Sequence, residues 1–129
     1  MDLRANEMCF ACGRKNPIGL RLEFASAGEE YASELEIGEN YQGWAGMAHG
    51  GILATALDEV MARLLADKGY RVITARLEVR FLKPVRVGEK LGLRARIVQD
   101  RGRFVETEAR ALLPDGSAAA TAKSASLRV

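Results

Sequence analysis

Gly46-Met47-Ala48-His49-Gly50-Gly51, running on through residues 52–66, is the stretch that decides the fold. It holds the chain's only histidine, two adjacent glycines and a helix start. Beyond the glycines, Ile52, Leu53, Ala56, Leu57, Val60, Met61, Leu64 and Leu65 recur at helical spacing and make a wide apolar face. Thr55, Asp58, Glu59, Arg63 and Asp67 form a narrower polar stripe. Lys68 and Gly69 then supply a cation followed by a glycine, a C-terminal stop signal. The pattern predicts one helix over residues 50–67. A helix this apolar has to be mostly surrounded.

The rest of the chain reads as the sheet that surrounds it. Before the helix, Leu20, Leu22 and Phe24 alternate with Arg21, Glu23 and Ala25. Tyr31, Ser33, Leu35 and Ile37 alternate with Ala32, Glu34 and Glu36. Period two marks half-buried strands, and Ser26-Ala27-Gly28-Glu29 is the hairpin loop between them. After the helix, Ile73, Ala75, Leu77, Val79 and Phe81 alternate with Thr74, Arg76, Glu78, Arg80 and Leu82. Leu91, Leu93, Ala95 and Ile97 form the next row, and Val105, Thr107, Ala109, Ala111 and Leu113 the one after. Turns at Asp100-Arg101-Gly102 and Pro114-Asp115-Gly116 separate them from a final strand rich in small residues over 117–129. Short turns make the neighbours antiparallel. One helix cannot cover both faces of a flat sheet, so the sheet is expected to curl around it. The fold class is α+β: one long central helix wrapped by a curved antiparallel sheet of about six strands.

The totals agree with one such domain spanning residues 1–129. The chain has 129 residues, 48% of them hydrophobic, enough for a sizeable core. Its 19 basic and 17 acidic residues nearly cancel, and a net charge of +2 does not suggest a nucleic-acid binder. No apolar run approaches the roughly 18 residues of a membrane span. A soluble cytoplasmic protein is the expectation, and the two cysteines suit that compartment. They form a Cys9-x-x-Cys12 pair inside a turn-rich loop with Gly13, Asn16, Pro17 and Gly19. As a zinc site the pair lacks two ligands, and as a redox motif it lacks the strand-helix context. The expectation is two packed structural thiols and no metal.

Several chemistries are missing. There is no Gly-x-Ser-x-Gly elbow, phosphate loop or dinucleotide fingerprint. What remains is a glycine-rich helix start near a carboxylate. Unpaired N–H groups at a helix start attract negative charge, and Gly50 has no side chain to keep a carbonyl away from its N–H. Such a donor can stabilise an oxyanion by about 3–4 kcal/mol. Asp58 lies nine residues beyond His49. Along a helix that is on the order of 12 Å, too far to share a substrate atom with its own chain's helix start. A second subunit closing the gap is one solution, which argues for a dimer with composite sites. Residues 38–48, with Tyr41, Gly43, Trp44 and Gly46, could lie across a pocket or cap the core. The plain alternatives stay open: His-Gly-Gly as a turn, and Asp58 as a surface residue beside a Glu59 that pairs with Arg63.

The segment His49-Gly50-Gly51-Ile52-Leu53-Ala54-Thr55-Ala56-Leu57-Asp58-Glu59 resembles the signature of hotdog-fold acyl-CoA thioesterases of the phenylacetate-pathway (PaaI-like) type. Arg80-Phe81-Leu82-Lys83-Pro84-Val85-Arg86-Val87-Gly88-Glu89 looks like that family's strand and turn after the helix. Cys9-Phe10-Ala11-Cys12-Gly13 with Asn16-Pro17-Ile18-Gly19-Leu20 looks like one branch of the superfamily. The resemblance implies a homodimer, often paired into a homotetramer, with active sites at the subunit interface. It implies Asp58 as general base or nucleophile, the Gly50 N–H as oxyanion donor and His49 in a positioning role. Thr74 falls where relatives keep a hydroxyl near the attacking water. Relatives commonly keep an asparagine six residues before the histidine, where this chain has Gly43.

The expected reaction is hydrolysis of an acyl- or aryl-CoA to free acid and CoA, with no cofactor beyond the CoA of the substrate. Neither nucleic acid nor a membrane is expected as a partner. Arg80, Lys83, Arg86 and Lys90 could receive the CoA phosphates, or could be a solvated basic face. Gly51, Trp44 and Met47 are the other candidate substrate contacts, and Leu57 and Met61 with Trp44 and Met47 could shape the acyl pocket. The alternative is an acyl-CoA-binding module without turnover, which Gly43 favours. A related dehydratase fits the nine-residue spacing less well.

Overall fold

A computed structural model describes residues 1–129. Its strands are β1 (Phe24–Ala27), β2 (Glu30–Glu36), β3 (Val72–Phe81), β4 (Lys90–Asp100), β5 (Phe104–Leu112) and β6 (Ala118–Arg128), with one long helix, α1 (Gly50–Asp67), between β2 and β3. The six strands form one sheet in the order β1-β2-β4-β5-β6-β3. Every neighbouring pair is antiparallel.

The helix is the expected one, and local chemistry fixes both ends. His49 caps its start, and Gly69 leaves it in a left-handed conformation with φ 88°. Leu53, Ala56, Leu57, Val60, Met61 and Leu64 face the sheet and are buried. They meet Leu91, Leu93 and Ala95 of β4, Ala109 and Ala111 of β5, and Ala120 and Ala122 of β6 in one continuous core. The alanines of β5 and β6 let the helix lie close to the centre of the sheet. The rows expected on β2, β4 and β5 are the rows that are buried, with Tyr31, Ser33, Leu35, Leu91, Leu93, Ala95, Val105, Thr107, Ala109 and Ala111 all inside. No helix is long and apolar enough to cross a membrane.

Two expectations are corrected. The first strand begins at Phe24, not Leu20. Arg21 sits at φ 54°, which breaks the extended run. Leu20 and Leu22 instead donate their N–H groups to the carbonyls of Phe10 and Ala11, at 2.9 and 3.0 Å. The backbone of this segment is therefore spent on the N-terminal loop. The second correction lies in β3, whose register against β6 shifts between Thr74 and Arg76. Ala75 is an extra, bulged residue. Leu77, Val79 and Phe81 face the same side as the buried β6 residues Ser124, Ala122 and Ala120, as expected. Across the bulge the phase flips, so Thr74, opposite buried Ser126, joins that side in place of Ile73.

The strand β3 is an edge. It pairs with β6 alone, and most of its residues are exposed. Leu77 is 37% exposed and Phe81 53%, unusual for large apolar side chains on the inner side of a ten-residue strand.

Candidate active site at the helix start and the open edge

The site begins with the cap. The His49 Nδ1 accepts a hydrogen bond from the Gly51 N–H at 2.9 Å. An accepting Nδ1 places the proton of the neutral ring on Nε2, which is left as a donor. The geometry explains why two glycines follow. A Cβ on Gly51 would sit 3.1 Å from that Nδ1, and the imidazole needs the space. A Cβ on Gly50 would stand 3.4 Å from the Phe81 ring, so Phe81 lies over Gly50. The Gly50 N–H makes no hydrogen bond within the chain; the first intrahelical bonds run from Ile52 and Leu53 to the His49 carbonyl. It is a free donor at the positive end of an 18-residue helix.

The loop before the helix is strapped in place. The His49 N–H donates to the Tyr41 carbonyl at 2.9 Å and the Ala48 N–H to that of Val85 at 2.8 Å. Gly43 packs behind the histidine, where a Cβ would lie 3.3 Å from the His49 Cα. Tyr41 is half-buried against the core and its hydroxyl donates to the Ile18 carbonyl. Trp44 does not cap the core: it is 83% exposed at the tip of the loop.

Asp58 lies two turns further along α1 and leans toward the open edge. The Thr74 hydroxyl donates to its Oδ1 at 2.8 Å. Burial pushes the Asp58 carboxyl above its ordinary value, and the Thr74 hydrogen bond opposes that rise. One carboxylate oxygen is thus held, and the group as a whole is a stronger base than a solvated aspartate. The bulge at Ala75 is what turns Thr74 toward it. Asp58 and Gly50 are eight residues apart on one helix, about 12 Å along its axis, so one chain does not bring them together.

The remaining candidates divide. Met47 is half-buried and bridges to Arg86 across the loop, beside the helix start. Arg80, Lys83 and Arg86 are exposed and form no direct ion pair; Lys83 donates to the Ser117 hydroxyl at 3.0 Å, and its charge acts on the nearby Asp115 carboxylate. Lys90 is paired with Glu34 at 3.7 Å across the β2–β4 ladder, which withdraws it from the group. Leu57 and Met61 are 0% and 1% exposed in the central core, so in this chain they line no opening, contrary to expectation. The Glu59–Arg63 pair left open as the plain alternative does not form. Arg63 pairs with Asp67 at 3.6 Å, and Glu59 accepts a contact from the Cys9 thiol at 3.8 Å. Cys12 sits beside them, its thiol pushed up to about 12 by burial and by the Glu59 carboxylate. Phe81 was not singled out from the sequence as a site residue. Its place at the end of an alternating row, just before Lys83-Pro84, gives no sign that its ring reaches the helix start.

One buried helix, a sheet curled around it, a capped helix start with a free N–H and an acid two turns on define a hotdog-type domain. The profile of the thioesterase superfamily matches residues 45–120, and the chain belongs to that superfamily. A crystal structure of a thioesterase superfamily protein superposes with a TM-score of 0.84 at 24% identity, covering 89% of this chain and 60% of that one. The Escherichia coli PaaI protein of the phenylacetic acid degradation operon superposes with a TM-score of 0.79 at 16% identity, covering 85% and 80% of the two chains. Among curated proteins, mouse acyl-coenzyme A thioesterase 13 is 25% identical over 77 residues, 58% of this chain and 55% of that protein. Methylthioribose-1-phosphate isomerase of Aquifex aeolicus is 40% identical over 58 residues, 45% of this chain but only 12% of that protein.

Proposed function

We propose that the chain is an acyl-CoA thioesterase of the PaaI-like branch, active as a dimer whose sites are shared between subunits. The observation that carries this reading is the Asp58–Thr74 hydrogen bond at the open edge of the sheet. Thr74 and Phe81 stand toward opposite ends of the same edge strand. If β3 pairs antiparallel with β3 of a second copy, with the two-fold near Leu77 and Glu78, Thr74 of one chain falls opposite Phe81 of the other. Phe81 covers Gly50. One pairing step therefore brings the acid of each chain to the free N–H of its partner, closing the 12 Å gap.

The chemistry follows from the groups present. The thioester carbonyl oxygen accepts from the Gly50 N–H and is polarised by the helix start. Asp58, with Oδ1 held by Thr74, has Oδ2 free to take a proton from water that attacks the carbonyl carbon. The tetrahedral intermediate expels the CoA thiolate, and the proton held by Asp58 returns to the departing sulfur or to solvent. Direct attack by the carboxylate, through an anhydride that water opens, uses the same atoms. His49 Nε2–H and Met47 flank the thioester, and Arg80, Arg86 and Lys83, the last also held by Ser117, are the cations offered to the CoA phosphates.

Relatives lend support. A Streptococcus mutans protein of this fold was solved bound to acetyl CoA, and a hypothetical thioesterase of Streptococcus pneumoniae with coenzyme A. The pneumococcal protein was also solved as Asp-to-Ala and Thr-to-Ala variants whose positions lie sixteen apart, the spacing of Asp58 and Thr74 here. The two free cysteines suit a cytoplasmic setting.

Thiol release from a panel of aryl-, short-, medium- and long-chain acyl-CoAs tests the proposal. The wild type should release thiol from at least one member, and Asp58→Asn should lose about 10²–10⁴-fold in rate while still binding. Gly43 supports a second reading, a binding module without turnover. Tight acyl-CoA binding with no thiol release from any member would select it.

A further inference from the structure

The N-terminal loop carries a cluster that the thioesterase chemistry does not use. The Cys9 and Cys12 thiols and the Glu59 carboxylate converge so that their ligand atoms all lie within 4.8 Å of one another. Cys9 Sγ is 3.8 Å from Glu59 Oε1. Bond lengths to zinc of about 2.3 Å for sulfur and about 2.0–2.2 Å for oxygen give tetrahedral ligand–ligand separations of roughly 3.5–3.8 Å. The Cys9–Glu59 pair already has that separation, and a contraction of at most about 1 Å brings the other ligand atoms to it. We propose that Cys9, Cys12 and Glu59 bind a thiophilic divalent cation of the zinc type, which fastens the N-terminal loop to α1.

The loop is built to present both sulfurs on one side. The Cys12 N–H donates to Cys9 Sγ at 3.3 Å, and the Gly13 N–H to the Cys9 carbonyl at 2.8 Å. A Cβ on Gly13 would sit 2.3 Å from the Glu7 carbonyl oxygen, so only glycine closes this turn. The amide–sulfur bond orients Cys9 Sγ as an outer-shell donor does. Glu59 arrives from a different part of the chain, fifty residues away. A cation would relieve the cluster's negative charge. Two thiolates and a carboxylate sum to −3 and the cation supplies +2, while Arg63, which also pairs with Asp67, sets its guanidinium 3.4 Å from Cys12 Sγ and offsets part of the remaining negative charge. The cluster opens into a surface cleft of about 480 Å³ that Asn6 and Glu7 also line, with room for water as the fourth ligand. Glu59 follows Asp58 in sequence but projects about 100° away around the helix. The metal would therefore hold the loop without entering the reaction.

Zinc content per chain, measured after purification under reducing conditions and dialysis, is the first readout. Close to one equivalent is expected in the wild type, and none in the Cys9→Ser/Cys12→Ser double variant. Cobalt(II) added to zinc-free protein should give a thiolate-to-metal charge-transfer band. Glu59→Gln, which keeps the size and packing of the side chain, should retain that band, change the visible d–d bands and weaken zinc against a chromophoric chelator by more than about tenfold. Three results would overturn the proposal. One is a wild type that holds no more zinc than the double variant. Another is a Glu59→Gln protein with unchanged zinc affinity and cobalt spectrum. The third is metal-free protein, prepared without reductant, whose cysteines are found joined as a disulfide and bind no zinc after reduction.

Discussion

At the scale of single residues, Asp58 carries a conflict between stability and chemistry. Burial raises its pKa, so the folded chain holds this proton to higher pH than the unfolded chain, whose carboxyl titrates near 3.8. The sign follows. The stabilisation tied to the protonated form is complete below the ordinary carboxylate range and is lost as pH rises through the raised value. At neutral pH the ionised Asp58 is therefore a net cost to the fold. Asp58→Asn should raise the melting temperature at pH 7 while it removes thiol release, and differential scanning calorimetry beside the rate assay shows both. The rate of the wild type should climb on an acid limb that lies above the usual carboxylate range. Thr74 opposes the rise, so Thr74→Ala should move that limb to still higher pH, and Thr74→Ser should return it. An acid limb indifferent to Thr74→Ala would remove the hydroxyl from the mechanism. None of this conflict shows in the sequence, where Asp58 reads equally as a residue of the solvated stripe.

At the scale of elements, the helix was the most legible part of the chain and β3 the least, for physical reasons. Eighteen residues of 3.6-residue periodicity with a stop signal leave one reading, and α1 runs over the predicted residues. A bulge adds one residue and leaves no compositional mark. The alternation of β3 can be read straight through Ala75, which puts Ile73 on the face that Thr74 occupies. The cluster of Cys9, Cys12 and Glu59 was illegible for another reason: it joins parts of the chain fifty residues apart, and local pattern carries no such information. The motif His49-Gly50-Gly51 was legible as a helix start, but not the division of labour within it. The structure shows a cap, a free donor and a space for the imidazole. This separates two roles of His49. Asparagine is among the best N-caps, so His49→Asn should keep the helix start within a few tenths of a kcal/mol, whereas His49→Ala should cost about 1 kcal/mol. Denaturant unfolding measures that pair. If the imidazole also positions the thioester, His49→Asn should lose rate despite its intact stability.

At the scale of the whole molecule, the sheet has two unequal edges. β1 has four residues, too few to offer a long ladder. β3 has ten, presents its free backbone groups to solvent and keeps Leu77 and Phe81 in the open. Exposed edges of this length are covered in stable proteins, and a second copy of the same edge is the cover that also completes the proposed site. Leu77 is the probe for this. It lies near the mid-point of β3, close to the two-fold that sets Thr74 opposite Phe81, and it is 37% exposed in the single chain. Leu77→Asp should therefore leave the fold of one chain intact, while two copies would bring like charges together across the axis, a destabilising pairing. Sedimentation velocity should show the wild type as a dimer or a dimer of dimers, and the variant shifted toward monomer with its circular dichroism unchanged. Thiol release should fall with the dimer population, because every Asp58 would lose the Gly50 N–H of its partner. A Leu77→Asp monomer that keeps the wild-type rate would mean that one chain closes the 12 Å gap by itself, and the shared site would have to be abandoned.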